Sequence, residues 1–346
     1  MLNQENHRHI AIWLFISCGL VFAMVVLGGV TRLTGSGLSM VNWAPIMGWL
    51  PPMTHEAWME TFAAYQLSPE YQKINTGMDL EGFKGIFWLE FLHRLLGRTI
   101  GLVFLLPFLF FWLTKRIPAG LTPQLLIMFV LGGLQGVLGW YMVKSGLVHD
   151  PHVSQYRLTA HLGAALVIHA YMFWVALGLW FQGDAASEGE DNAGGGMRVV
   201  AIFMALLIFI TALSGGFVAG LDAGLVYNTF PLMDGDWMPA DYHALEPMML
   251  NFFENPAAVQ WDHRVLAMLT ALGVLGLWLI GWLLEFEGRL RLGLNLMLAV
   301  VGIQVILGIT TLIFYVPIPL ASAHQAGAVV LFTLALFNAH QWPKGF

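Results

Sequence analysis

The chain has 346 residues, 58% of them hydrophobic and 10% charged, with a mean hydropathy of +0.71. That composition excludes a water-soluble globule and calls for a polytopic membrane protein. A formal charge of −6 with scattered bases leaves no footprint for nucleic acid, and the single cysteine, Cys18, excludes an internal disulfide or a thiolate cluster for zinc or iron–sulfur.

A helix crossing the hydrocarbon core needs roughly 20 mostly apolar residues. Runs of that kind begin near residues 10, 86, 122, 157, 198, 258, 292 and 320. The expected fold is therefore an all-α integral membrane protein with eight transmembrane helices. The first run reads as a retained span, because His7-Arg8-His9 precedes it and no small-residue cleavage site follows. Lacking a third ligand nearby, His7 and His9 read as a polar end of the chain.

Lys115 and Arg116 follow the second run, Arg198 opens the fifth, and Arg289 and Arg291 lie between the sixth and seventh. The positive-inside rule puts these segments and both termini on the cytoplasmic or matrix side. Segments 31–85 and 220–257 then face outward. The latter has no Lys or Arg and carries Asp222, Asp234, Asp236, Asp241, Glu246 and Glu254. Residues 53–82 mix apolar with charged side chains and are expected to lie as short amphipathic helices over the outer end, placed as a lid would be.

Gln182 to Met197 is acidic and glycine-rich, the composition of a flexible cytoplasmic linker. The segments on either side, 1–181 and 198–346, correspond to one another. Gly28-Gly29-Val30 matches Gly215-Gly216-Phe217, Gly37-Leu38 matches Gly224-Leu225, Pro52 matches Pro239, and Gln135-Gly136-Val137-Leu138-Gly139 matches Gln304-Val305-Ile306-Leu307-Gly308. Four spans per copy is an even number, so the copies insert the same way up, as two tandem four-helix bundles in parallel duplication.

Histidines repeat with the duplication. His93-Arg94-Leu95-Leu96 is echoed by His263-Arg264-Val265-Leu266, and Ala160-His161-Leu162-Gly163-Ala164-Ala165 by Ala323-His324-Gln325-Ala326-Gly327-Ala328. An imidazole in hydrocarbon is costly unless it finds a partner. Four in register, roughly 7–10 Å inside spans that start at the outer face, point to paired axial ligands for haem. Bis-histidine ligation fills both axial positions and favours electron transfer. His169 has no counterpart and reads as a packing or hydrogen-bonding residue, while His55, His149, His152, His243 and His340 fall in loops or at an end and receive no ligand role.

Glu90 lies one turn before His93 on the same helix face, and Gln260 takes its place before His263. A carboxylate there suits proton relay, orientation of an oxygen species or charge stabilisation; the alternative is an interfacial carboxylate paired with a nearby Arg. Haem brings two propionates, for which Arg94, Arg264, Arg98 and Arg32 are the cationic candidates, with snorkelling to headgroups as the other reading. Trp43, Trp49, Trp58 and Trp237 lie in the outer loops, where tryptophans are more often belt residues than cofactor contacts, and they are left unassigned.

The segment GGVTRLTGSGLSMVNWAPIMGWLPP (28–52), the run Glu90-Phe91-Leu92-His93-Arg94 and the repeated histidine pattern together resemble the haem A synthase family in its mitochondrial and proteobacterial form. The resemblance covers nearly the whole chain. It implies an eight-span oxidoreductase that converts haem O to haem A by oxidising a ring methyl to a formyl group, for use in terminal oxidases. Two successive oxygenations of that methyl would give a gem-diol that loses water. The resemblance further implies a permanent haem b on His263 and His324, substrate haem near His93 and His161, and Glu90 as the catalytic carboxylate. It implies an unidentified electron donor, haem O synthase and cytochrome oxidase assembly factors as partners alongside membrane lipid, and leaves homo-oligomerisation open. The expected location is a bacterial inner membrane, or the mitochondrial inner membrane in a eukaryote, with the haem sites near the outer face. Gram-positive members carry cysteine pairs in their outer loops; segments 31–85 and 220–257 have none. The rival readings are a di-haem electron-transfer cytochrome, which needs haems near both faces, and a haem carrier.

Overall fold

The computed structural model describes residues 2–43, 48–148, 150–182 and 193–342. Most of the expected linker, together with His149, lies outside the described residues. In chain order the helices are α1 (Leu2–Leu33), α2 (His55–Gln66), α3 (Pro69–Lys73), α4 (Leu80–Leu113), α5 (Thr122–Gly146), α6 (Gln155–Trp180), α7 (Ala193–Gly220), α8 (Asn251–Glu254), α9 (Pro256–Leu283), α10 (Gly288–Ile313) and α11 (Ile318–Gln341). Single 3₁₀ turns form at Ala223–Leu225 and Met248–Leu250. Among the described residues no strand forms beyond one isolated bridge, Met233 to Asp236.

Eight helices, α1, α4, α5, α6, α7, α9, α10 and α11, are long and apolar enough to cross a membrane, the shortest having 24 residues. At 1.5 Å per residue that length is about 36 Å, enough for the hydrocarbon core. Leu106, Phe110, Leu134, Leu272 and Ile306 are half or more exposed, and lipid rather than water is the solvent that tolerates such faces. All eight spans expected from the sequence are present.

The boundary of α4 differs from the apolar run, which starts near residue 86. Asp79 caps the helix by accepting from the Gly82 amide, so α4 starts at Leu80. Its first turns stay ordered because Phe83, Phe87 and Phe91 form one buried cluster with Phe62 and Tyr65 of α2. The segment before α4 thus folds as the expected short helices, capped by Thr54 and by Ser68 followed by Pro69. Inside this cap the Tyr65 hydroxyl donates to Glu70 Oε2 at 2.9 Å and accepts from Asn75 Nδ2 at 2.8 Å. Burial pushes the Glu70 carboxyl up to about 7, and the charge of Glu90 adds to the rise.

The chain divides into two compact units. One comprises Ile16–Ile168; the other comprises residues up to Phe15 together with His169–Phe346. In the second unit α7 packs against α9 and α11, and α10 packs against the same two, closing a ring of four helices. Within that unit His169 reaches Thr333 Oγ1 at 2.9 Å, a contact between α6 and α11 that fits its reading as a packing residue. In the first unit α4 packs against α5, and closer contacts join α1 to α4 and α5 to α6 through the glycines described next.

Candidate functional site

Each of the four repeated histidines rests against a glycine of the span before it. A Cβ added at Gly28 would stand 3.1 Å from the His93 ring, at Gly139 3.0 Å from His161, at Gly215 3.2 Å from His263 and at Gly308 3.1 Å from His324. No side chain larger than hydrogen fits at these positions without moving the imidazole. Two further contacts obey the same repeat. Gln135 Nε2 donates to the His161 carbonyl at 2.7 Å, and Gln304 Nε2 to the His324 carbonyl at 2.9 Å. The repeats in the sequence are therefore a repeated packing rule: a glycine makes room for each ring, and a glutamine holds the backbone of the second ring in each pair.

His161, His263 and His324 are the seventh, eighth and seventh residues of their helices. At 1.5 Å per residue this is about 9–11 Å from the helix start. His93, by contrast, is the fourteenth residue of α4, because the capped extension precedes it.

In the second unit the rings of His263 and His324 are 6.4 Å apart, centre to centre, with planes at 87°. A metal ion held at about 2 Å from a nitrogen of each of two imidazoles requires ring centres about 6 Å apart. Several buried polar atoms around the pair have no protein partner: His324 Nδ1, Arg264 Nε and Arg264 Nη1. Unsatisfied polar atoms at this depth are expensive, and a group bringing a metal and carboxylates would satisfy them. The residues present fit haem. In the first unit His161 Nδ1 is likewise buried and unpartnered.

Glu90 is buried, at 2% exposure, and both of its oxygens are engaged. Oε2 accepts from Ser39 Oγ at 2.7 Å and from the Met40 amide at 2.8 Å; Oε1 accepts from Arg94 Nε at 3.0 Å and pairs with a second Arg94 nitrogen. Arg94 also donates to the carbonyls of Met40 and Asn42 at 2.8 and 3.1 Å. The two side chains thus clamp the segment after α1 onto α4 directly beside His93. Gln260 and Arg264 do the same work in the second unit. Gln260 Nε2 donates to the carbonyls of Ala223 and Tyr227 at 2.9 and 3.0 Å, and Arg264 donates to Tyr227 O at 3.0 Å and to Gln260 Oε1 at 3.3 Å.

Of the expected propionate partners, Arg264 has two nitrogens to offer, whereas Arg94 has all three committed in its clamp. Arg98 and Arg32 are half-buried, one turn beyond Arg94 and at the end of α1 respectively. Two contributors were not evident in the sequence. Lys144 lies over the Trp140 ring at 5.1 Å and Arg94 over Trp43 at 5.7 Å, the two indoles being 6.3 Å apart and lining one cleft in the first unit. Ser214, next to Gly215, lies 2.7 Å from His263 Nδ1. The matching position in the first copy is Leu27, so the duplication carries no signal for this serine.

The model of the COX15-CtaA family, described as cytochrome oxidase assembly protein, matches residues 11–336. A protein named haem A synthase from Nitrosospira multiformis is 53% identical over 334 residues, covering 96% of this chain and 93% of its own. One of the same name from Paramagnetospirillum magneticum is 48% identical over 350 residues, 98% of this chain and 95% of its own. Haem A synthase COX15 of Bos taurus is 44% identical over 341 residues, 97% of this chain and 82% of its own. With a family model spanning nearly its whole length and relatives this similar over almost all of it, the chain belongs to the COX15-CtaA family of cytochrome oxidase assembly proteins.

Proposed function

We propose that this multi-pass membrane protein is a haem A synthase, converting haem O to haem A by oxidising one ring methyl to a formyl group. The observation that carries the reading is the fourfold imidazole-against-glycine packing, in a chain whose similar relatives bear that name. A duplicated pair of histidine pairs suits two haems, one retained and one exchanged.

The retained group is haem b, with His263 and His324 as its axial ligands and Arg264 as partner for a propionate. When bound there it supplies one-electron transfer. The substrate haem is held near His93 and His161, where Glu90 and Arg94 keep the segment 36–42 folded against α4. Glu90 is the catalytic carboxylate of this reading; its charge is held beside the reacting haem by four donors, in a setting that excludes water. Lys144, over the Trp140 indole in the cleft that Trp43 also lines, offers a cation to the substrate propionates in the same unit. The protein lies in a bacterial inner membrane, or in the mitochondrial inner membrane of a eukaryote, with both termini and the 182–197 linker on the cytoplasmic or matrix side and the loops 34–79 and 221–255 outside.

Membranes containing the protein and haem O are extracted, and the pigments are separated and identified by mass. Haem A as product is the expected result. Unchanged haem O, with protein and haem b intact, would overturn the reading in favour of an electron-transfer cytochrome or haem carrier. Reporter fusions at residues 190 and 240 are expected on opposite sides, with 190 inside.

A further inference from the structure

We infer that Ser214 is a positioning residue for His263: it holds the imidazole as the Nδ1–H tautomer and strengthens Nε2 as an iron ligand. The inference rests on the proposed haem b site and deepens it.

The argument is a count of protons. A serine hydroxyl has one proton to donate. Ser214 Oγ lies 2.8 Å from the Thr211 carbonyl, which can only accept. We assign that proton to the carbonyl, so that the hydroxyl accepts from His263 Nδ1, 2.7 Å away; the His263 ring also hydrogen-bonds the Thr211 backbone, which takes a ring N–H. Nδ1 therefore carries the hydrogen of the neutral ring, and the lone pair lies on Nε2. Thr211 is itself fixed to α9, because its hydroxyl lies 2.8 Å from that of Thr270 and 2.9 Å from the Leu207 carbonyl. The chain Thr270, Thr211, Ser214 and His263 thus runs along the α7–α9 contact, and Gly215 lies against Cε1 of the same ring.

The other ring of the pair has no hydroxyl against it and interacts only with the Gln304 backbone. In the first copy Leu27, which has no hydroxyl, stands where Ser214 stands in the second. A hydrogen bond accepted from the distal nitrogen orients a ligating imidazole and raises its basicity. A more basic ligand favours the ferric state and lowers the potential of the haem it holds.

Ser214→Thr and Ser214→Val differ from each other in the hydroxyl and hardly in shape. Each holoprotein is assayed for haem b by pyridine haemochrome, for its midpoint potential and for its low-spin electron paramagnetic resonance. The threonine variant is expected to retain the wild-type potential and resonance. The valine variant is expected to show a more positive potential and displaced g-values. Wild-type potential and g-values in the valine variant would overturn the inference. If valine does not load haem b, Ser214→Ala is read in the same way; loss of haem b from all three variants marks a packing role and also overturns it. His263→Ala separates this failure from failure of the site assignment: full haem b with an unchanged low-spin spectrum in that variant removes the ligand itself.

Discussion

The clamp beside His93 and the clamp beside His263 occupy matching places in the duplicated chain, yet they are built with opposite polarity. Glu90 draws in donors, the Ser39 hydroxyl and the Met40 amide, whereas Gln260 presents its own N–H groups to the carbonyls of Ala223 and Tyr227. Both hold the connection after the preceding span against the start of a histidine-bearing helix. The consequence lies in the arginine. Arg94 must neutralise a buried carboxylate and is fully engaged, while Arg264 faces a neutral amide and keeps two buried nitrogens for another anion. One copy thus retains charge next to its imidazole, and the other keeps two unpartnered cationic nitrogens beside its own. The proposed division into a retained cofactor and an oxidised substrate calls for that difference.

Replacing the rings breaks the comparison most directly. His263→Ala and His324→Ala are expected to yield protein largely lacking haem b by pyridine haemochrome, since each leaves its partner without an opposing ligand in an apolar bundle. His93→Ala and His161→Ala are expected to keep haem b and lose haem A formation. Equal loss of haem b from all four variants would erase the distinction between the copies.

The next test exchanges the clamp residues. Glu90→Gln keeps the size and one acceptor oxygen but turns an N–H toward Arg94 or toward the Met40 amide. This variant is expected to fold and keep haem b while accumulating haem O or its hydroxylated intermediate, read by mass after extraction. Wild-type haem A formation would dismiss the catalytic role. Full truncation is harsher on the first copy: Glu90→Ala leaves Arg94 uncompensated and costs about 3–5 kcal/mol, against about 1–3 kcal/mol for Gln260→Ala. Thermal unfolding in detergent should rank the two in that order.

A smaller effect is expected from the glycines. With ideal Cβ positions 3.0–3.2 Å from the rings, Gly308→Ala and Gly139→Ala push His324 and His161 aside by a few tenths of an ångström. The first should weaken haem b retention and the second substrate binding, each without loss of fold; retention assays that fail to separate them would argue against two distinct sites.

The mildest prediction concerns the cap of the first unit. Glu70, raised from 4.5 to about 7 by burial, binds more proton when folded than when unfolded between those values, so cap stability falls as pH rises through that window. Hydrogen-exchange protection factors in α2 and α3, taken relative to the base-catalysed intrinsic rates, should fall from pH 5 to 7, and Glu70→Gln should flatten that profile.

Much of this was legible along the chain because a bilayer enforces simple rules. Each span is an unbroken apolar run, since hydrocarbon offers no partner for backbone groups, and all eight were countable. The histidine repeats were visible for the same reason, as a polar ring is conspicuous in such a run. The start of α4 was not, because Asp79 and the aromatic contacts of Phe83 and Phe87 with α2 extend the helix through residues that hydropathy alone assigns to a loop. The pairing of Glu90 with Arg94, one turn on, lay within helical spacing and was the alternative reading of that carboxylate, but the donors Ser39 and Met40, about fifty positions away, were hidden.

By itself the sequence determined the span count, the duplication and which four imidazoles are set apart, because those depend on polarity and periodicity read locally. Only the tertiary structure decided that a glycine faces each ring, that Glu90 and Gln260 perform one task with opposite polarity, and that Ser214 lies against His263 Nδ1. Those are contacts between different helices, and their hydrogen-bond direction depends on which donor or acceptor packing brings opposite, which no single stretch of chain contains.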